Sequence, residues 1–260
     1  GKRAVVEDHF NELVIDLVNP AGQPERMQLV VRGYNDGFAF CYKIPDGEGP
    51  RVNVQSELTA YNFAGDYTAW FYNGENHNIG PEKLTETDGT RLPVMTVKAG
   101  DKHYMAIHEA CLETGAPLVL QSKGGESLFS VASKPTSLSP GYTSAWRVVL
   151  YGTTPGVLTD SHLLELLNPD PDSRYDFSWV KPGLAVWDWR INGAVWDGFT
   201  YGMSYPSWVR MVDFAAEQGF KYLVLDANWY GPEFESDSDP VKGEKAQDVQ
   251  RLLKYGKEKG

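Results

Sequence analysis

The sequence predicts an antiparallel β-sandwich followed by two β-α units of a parallel α/β structure. Three observations carry the prediction. Up to about residue 159, short apolar or alternating runs are separated by turn residues, and no long 3.6-residue periodicity occurs. Near residue 160 the pattern changes to alternating helix and strand. Two later runs, Leu184 to Arg190 and Lys221 to Asp226, are apolar throughout, as strands buried on both faces require.

In order, Val5-Val6 and Leu13 to Val18 open the strand pattern, and Asn19-Pro20-Ala21-Gly22 supplies a turn. Met27 to Gly33 is the next strand. Asn35-Asp36-Gly37 then turns the chain into Phe38 to Ile44, because an Asp-Gly pair tolerates the positive φ that both centres of a tight hairpin need. Arg51 to Ala60, Leu92 to Lys98, His103 to Ala110, Pro117 to Gln121, Leu128 to Ala132 and Trp146 to Tyr151 continue the series. Asp160-Ser161-His162 precedes the leucines of a short capped helix, which Asn168-Pro169-Asp170-Pro171-Asp172-Ser173 breaks. The expected division is a sandwich over 1–160, a linker with a short helix over 161–182, and the α/β part over 183–260.

In that last part Leu184 to Arg190 and Lys221 to Asp226 are strands, and Tyr205 to Gln218 and Gly243 to Lys259 are helices. Ser204 stands at the cap of the first helix, Pro206 in its first turn and Gly219 where a left-handed C-terminal residue belongs. Trp208, Val209, Val212, Phe214, Ala215 and Ala216 give it an apolar stripe. A parallel pair joined by a helix is a right-handed crossover. Two such units close nothing: a (β/α)8 barrel needs eight strands and about 250 residues, and an open doubly wound sheet about five or six strands. The expectation is therefore the N-terminal part of a longer polypeptide. The alternative is a complete protein whose two units pack on the sandwich.

Composition narrows the function. Of 260 residues, 24 are Lys or Arg and 35 Asp or Glu, a net charge of −11, which argues against a nucleic-acid partner. A hydrophobic fraction of 42% with 23% charged residues belongs to a folded globular chain. No run approaches the roughly 18 apolar residues of a membrane span. Aromatics make up 13%, which suits a sugar-stacking surface and an ordinary sandwich core alike. Cys41 and Cys111 form no C-x-x-C pair, which argues strongly against structural zinc; they are either bridged or, as preferred here, free and buried. His9, His77, His103, His108 and His162 have no metal-like spacing. Glu233, Glu235, Asp237 and Asp239 lack the Gly and Glu of a calcium loop, so they read as a solvated acidic loop. No phosphate-cradling glycine motif occurs. The sequence opens at Gly1-Lys2-Arg3 without an apolar signal core, which leaves a cytosolic protein or one whose export signal lies outside this sequence.

Several ordered segments carry a resemblance. Trp179 to Trp189 (WVKPGLAVWDW) resembles the sandwich-to-barrel entry of glycoside hydrolase family 97, and Phe214 to Asp226 resembles its first barrel helix and second strand. Asn35 to Phe40 and His108-Glu109-Ala110 resemble its sandwich strands; Trp146 to Val149 and Leu167-Asn168-Pro169 resemble its linker region. Three positions depart from the family pattern. Cys41 stands where Arg is frequent, Cys111 where Asp is frequent, and Asp226-Ala227-Asn228-Trp229 where Asp-x-Gly-Trp is commoner. Cys111, two residues from Glu109, is expected on the same strand face.

The resemblance implies an antiparallel, supersandwich-like β-sandwich followed by the first two βα units of a (β/α)8 barrel. It implies a calcium-dependent exo-α-glycosidase, retaining or inverting, exported to the periplasm of a Gram-negative bacterium. It places both catalytic carboxyls on later barrel strands, so no catalytic residue is assigned in this chain and residues 1–260 alone are expected to be inactive. Glu109 is the implied Ca2+ ligand, since calcium takes six to eight oxygens and recruits carboxylates from neighbouring domains. Asp226, Trp187, Asp188 and Trp189 are the substrate-binding candidates, because barrel sites form at the C-terminal ends of strands. Alternation puts Trp187 and Trp189 on one face and Asp188 on the other, so all three line a pocket only if the strand end bends. The expected partners are an oligosaccharide or α-glycoside substrate and the downstream remainder of the barrel. α-Glucosidase is the first expectation, from Trp187-Asp188-Trp189, with α-galactosidase of the same family as alternative. The residues also admit a non-catalytic carbohydrate-binding sandwich, with Tyr67 to Tyr72 as platform, or an assembly piece completed by a separate chain.

Overall fold

The computed structural model describes residues 3–260 except 4, 19, 23 and 74–76. The turn expected at Asn19-Pro20-Ala21-Gly22 includes Asn19, which lies outside the described residues. Two units are formed, Gly1–Pro171 and Asp172–Gly260.

The first unit carries β1 (Asn11–Val18), β2 (Pro24–Tyr34), β3 (Gly37–Lys43), β4 (Val52–Val54), β5 (Ala60–Asn62), β6 (Thr68–Asn73) and β7 (His77–Lys83). After a single 3-10 turn come β8 (Asp88–Ala99), β9 (His103–Ala110), β10 (Leu120–Lys123), β11 (Leu128–Val131), β12 (Thr136–Leu138) and β13 (Trp146–Gly152). Two short helices, α1 (Pro155–Asp160) and α2 (Leu163–Leu166), close it. The strand order is β1-β2-β3-β13-β9-β8-β10-β11-β5, with β6 paired to β8 and β7; β12 pairs with β4 separately. All of these pairings are antiparallel. The long strand β8 joins two layers: Asp88–Arg91 pair with β10, and Met95–Ala99 with β9.

Side-chain alternation along β9 divides the interior. Ile107 packs with Ala69, Phe71, Met95 and Val97 against Leu120, Phe129 and Val131, which is the sandwich core. Ala106 and Ala110 face the other way, onto Cys41, Val148, Leu163 and Leu167. The antiparallel sandwich expected from the sequence is present. Within Tyr67 to Tyr72, Phe71 is buried in the core at 2% exposure while Tyr72 is 43% exposed. Neither cysteine is bridged; Cys41 is buried and Cys111 half-buried.

Local expectations fared unevenly. The β2–β3 turn centres on Asn35 and Asp36, with Tyr34 opposite Gly37. Gly37 (φ 154°) is required for another reason: a Cβ there would lie 2.3 Å from the Val149 carbonyl oxygen. Arg51 to Ala60 is strand only over β4 and at Ala60, where β5 begins; between them Glu57 meets Arg147. Asp160 ends α1, an unexpected helix, while the Ser161 hydroxyl accepts the Leu163 N–H at 3.2 Å.

The second unit carries β14 (Ala185–Trp187), α3 (Asp188–Ile191), β15 (Val195–Trp196), β16 (Phe199–Thr200), α4 (Tyr205–Gln218), β17 (Tyr222–Val224) and α5 (Ala246–Lys259). β14 and β17 are parallel neighbours, with Ala185, Val186 and Trp187 opposite Tyr222, Leu223 and Val224. One face of the pair packs through Val186, Leu223 and Leu225 on Trp208 and Met211 of α4. On the other face Trp187, Tyr222 and Val224 are exposed by 37%, 40% and 43%, so burial on both faces is not met within this unit. Gly219 (φ 71°) ends α4 with its N–H on the Ala215 and Ala216 carbonyls, as expected. Ser204 occupies the cap without a side-chain cap bond, and Phe214 lies off the buried stripe at 49% exposure. Asp197 (φ 49°) and Gly198 (φ 69°) form the tight Asp-Gly hairpin between β15 and β16, which the sequence reading passed over. No helix among the described residues is long and apolar enough to cross a membrane.

Candidate functional site

In the second unit the candidates gather where the parallel strands end. β14 stops at Trp187 because Asp188 begins a helical turn, and that bend breaks the face alternation. The Trp187 indole N–H donates to Asp226 Oδ2 at 2.7 Å, and Asp226 Oδ1 accepts the Ala227 N–H at 2.7 Å. Asp188, 1% exposed, accepts the Asp226 N–H through Oδ1 at 2.9 Å and the Trp208 indole N–H through Oδ2 at 2.8 Å. Both Asp188 oxygens are thus committed behind the strand end. Asp188 braces Asp226 from there and does not itself line the pocket expected to hold it. Trp189 stands half exposed in α3, outside this hydrogen-bonded group. The Arg190 guanidinium lies 4.9 Å over the Trp187 ring.

Trp208 and Arg190 were missed by sequence reasoning. Trp208 was legible as core, and its buried indole N–H demanded an acceptor. Nothing local marked Asp188 as that acceptor.

In the first unit Glu109 sits on β9 directly opposite Arg147 on β13. Its side chain is 11% exposed, so it is not a free surface carboxylate. Oε2 accepts the Leu118 N–H at 2.9 Å and an Arg147 Nη1 hydrogen at 3.3 Å. Arg147 is gripped from its other side by Glu57, Nε to Oε1 at 3.0 Å and Nη2 to Oε2 at 2.7 Å. Burial works against the guanidinium charge, yet Glu57 and then Glu109 outweigh it and hold the pKa above the ordinary arginine value. Burial also pushes the nearby Tyr61 phenol up, and its buried hydroxyl has no partner among the described residues. A cleft of about 930 Å3 opens over Glu57 and Arg147, with Tyr42 and Tyr142 in its wall. The lone Arg in the apolar run WRVVL was the signal that a buried partner existed.

Cys111 lies beyond the end of β9 in a left-handed conformation (φ 55°) and packs beside the Cys41 cluster. The expectation that it shares a face with Glu109 therefore fails, because the strand stops at Ala110. Among the described residues no group of three or more His, Cys, Asp or Glu side chains could hold a metal. Glu109 offers a carboxylate, a hard oxygen donor of the kind calcium takes, and both hydrogen bonds described for it fall on Oε2.

Residues 1–169 match the family profile described as "Glycosyl-hydrolase 97 N-terminal", and residues 186–260 match "Glycoside hydrolase 97". The chain belongs to glycoside hydrolase family 97. It is 27% identical to the "Retaining alpha-galactosidase" of Bacteroides thetaiotaomicron, covering 98% of this chain and 43% of that protein. It is 29% identical to the "Probable retaining alpha-galactosidase" of Streptomyces bingchenggensis, covering 90% of this chain and 36% of that protein. A family 97 enzyme from Pseudoalteromonas sp. strain K8, solved in complex with panose, aligns over 100% of this chain and 42% of its own, with a TM-score of 0.78 and 25% identity. This family 97 chain thus spans less than half the length of these relatives.

Proposed function

We propose that the full-length protein hydrolyses terminal α-linked glycosides, with this chain supplying the sandwich and the opening of the barrel. The observation that carries the reading is the Trp187–Asp226 pair at the ends of two parallel strands in a family 97 chain. A carboxylate held by an indole has an oxygen edge for sugar hydroxyls, and a partly exposed indole can stack on a pyranose ring. Asp188 holds the strand end from behind. The catalytic carboxyls belong to the downstream polypeptide in this reading. The relatives' names support retention, with those carboxyls about 5–5.5 Å apart.

The same names favour an α-galactoside as substrate; Trp187-Asp188-Trp189 favours an α-glucoside. Parallel assays on nitrophenyl α-galactoside and α-glucoside separate the two, and turnover of neither by the full-length protein overturns the reading. Glu109 is the calcium donor from the sandwich in this proposal. The chemistry calcium supplies when bound is polarisation of a sugar oxygen or orientation of a water. Glu109→Ala is expected to lower activity, with partial rescue by added calcium; unchanged activity and calcium affinity would remove Glu109 from this role. Periplasmic export rests on the family resemblance, and cell fractionation tests it.

A further inference from the structure

We infer that Glu57, acting through Arg147, is a positioning residue that holds Glu109 in place for a divalent cation with the chemistry of calcium. The inference rests on the reading of Glu109 as a calcium donor. One guanidinium here faces two carboxylates, so Glu57, Arg147 and Glu109 carry one net negative charge in a largely buried place. A structural arginine needs only one carboxylate, and a second one without full compensation is costly to bury. The excess charge is what a cation would complete.

The geometry divides the labour. Glu57 takes Arg147 in a two-point grip, through Nε and Nη2, which fixes the plane of the guanidinium. Only Nη1 is turned to Glu109, at 3.3 Å, longer than either bond to Glu57. Glu57 therefore neutralises Arg147, and Arg147 orients Glu109 without cancelling its charge. The Leu118 N–H fixes the same Oε2, and Oε1 is left outside both contacts. Without the Glu57 charge, the full charge of Arg147 would fall on Glu109 and repel an incoming cation.

The test is calcium binding to the full-length protein, by calorimetry and by terbium luminescence, beside thermal melting. E57Q is expected to weaken calcium about tenfold or more, and E57Q/R147M to recover only part of that loss, since it removes the repelling guanidinium together with the group that orients Glu109. A purely structural role would lower the melting temperature without this loss and recovery. Unchanged affinity in E57Q, or a double variant as weak as E57Q, overturns the inference. Should E57Q fail to fold, E57D decides: it keeps the charge, so near-wild-type affinity is expected and a tenfold loss overturns the charge argument. If wild type binds no calcium, or E109Q binds it as wild type does, the underlying reading of Glu109 fails instead.

Discussion

The buried carboxylate of Asp188 joins two elements: it accepts the indole N–H of Trp208 at 2.8 Å and the backbone N–H of Asp226 at 2.9 Å. Asp188→Ala strands two donors, each worth about 1–3 kcal/mol when buried without a partner. The expected loss is about 2–5 kcal/mol in urea denaturation, with Asp188→Asn costing less because one acceptor survives. Wild-type stability in the Ala variant would show that the brace carries no weight.

Asp226 is the part of this group offered to a ligand. Asp226→Ala in the full-length enzyme is expected to lower kcat/KM by about tenfold or more, roughly 1.4 kcal/mol, with little change in melting temperature. Trp187→Phe keeps a ring but removes the donor, so a smaller loss in the same direction is expected. Steady-state kinetics on a nitrophenyl α-glycoside reads both, and near-normal rates would take the pair out of the site.

Burial holds the pKa of His108 below the ordinary value of 6.5, with Glu109 pulling the other way. As pH falls through about 6.5, the unfolded chain takes up a proton that the folded chain resists, so stability falls with it. The expected result is a lower urea midpoint near pH 5 than near pH 7, and a shallower pH dependence in His108→Leu. Equal slopes in the two proteins would assign the acid sensitivity elsewhere.

Asn228 (φ 70°) and Cys111 (φ 55°) occupy the left-handed region, where a Cβ costs roughly 1–2 kcal/mol. The Asn228 Oδ1 also accepts the Glu233 N–H at 2.9 Å. Asn228→Ala is expected to cost about 1–2 kcal/mol, whereas Cys111→Asn is expected to gain up to about 1 kcal/mol. Melting temperatures check both, and a stabilising Asn228→Ala would contradict the strain argument.

Much of the fold was legible. The periods of apolar residues marked β9, β13 and α4, and Gly219 marked a helix end, because these signals are local. Strand ends were less so. β14 and β17 are shorter than their apolar runs, since Asp188 turns the chain into α3 and only the parallel overlap forms a ladder. Asp226 and Glu109 were found through a resemblance, but their pairings with Trp187, Asp188 and Arg147 were not.

Residue order alone was enough for the succession of strands and helices, the change of architecture, and the acidic character that disfavours nucleic acid. Chain folding chose the pairings: Arg147 with Glu109, 38 residues apart, and Trp187 with Asp226, 39 apart. A buried charge or indole demands a partner wherever it stands, but strand register and the bend at a strand end select which one arrives. That selection is a long-range property, and no local period encodes it.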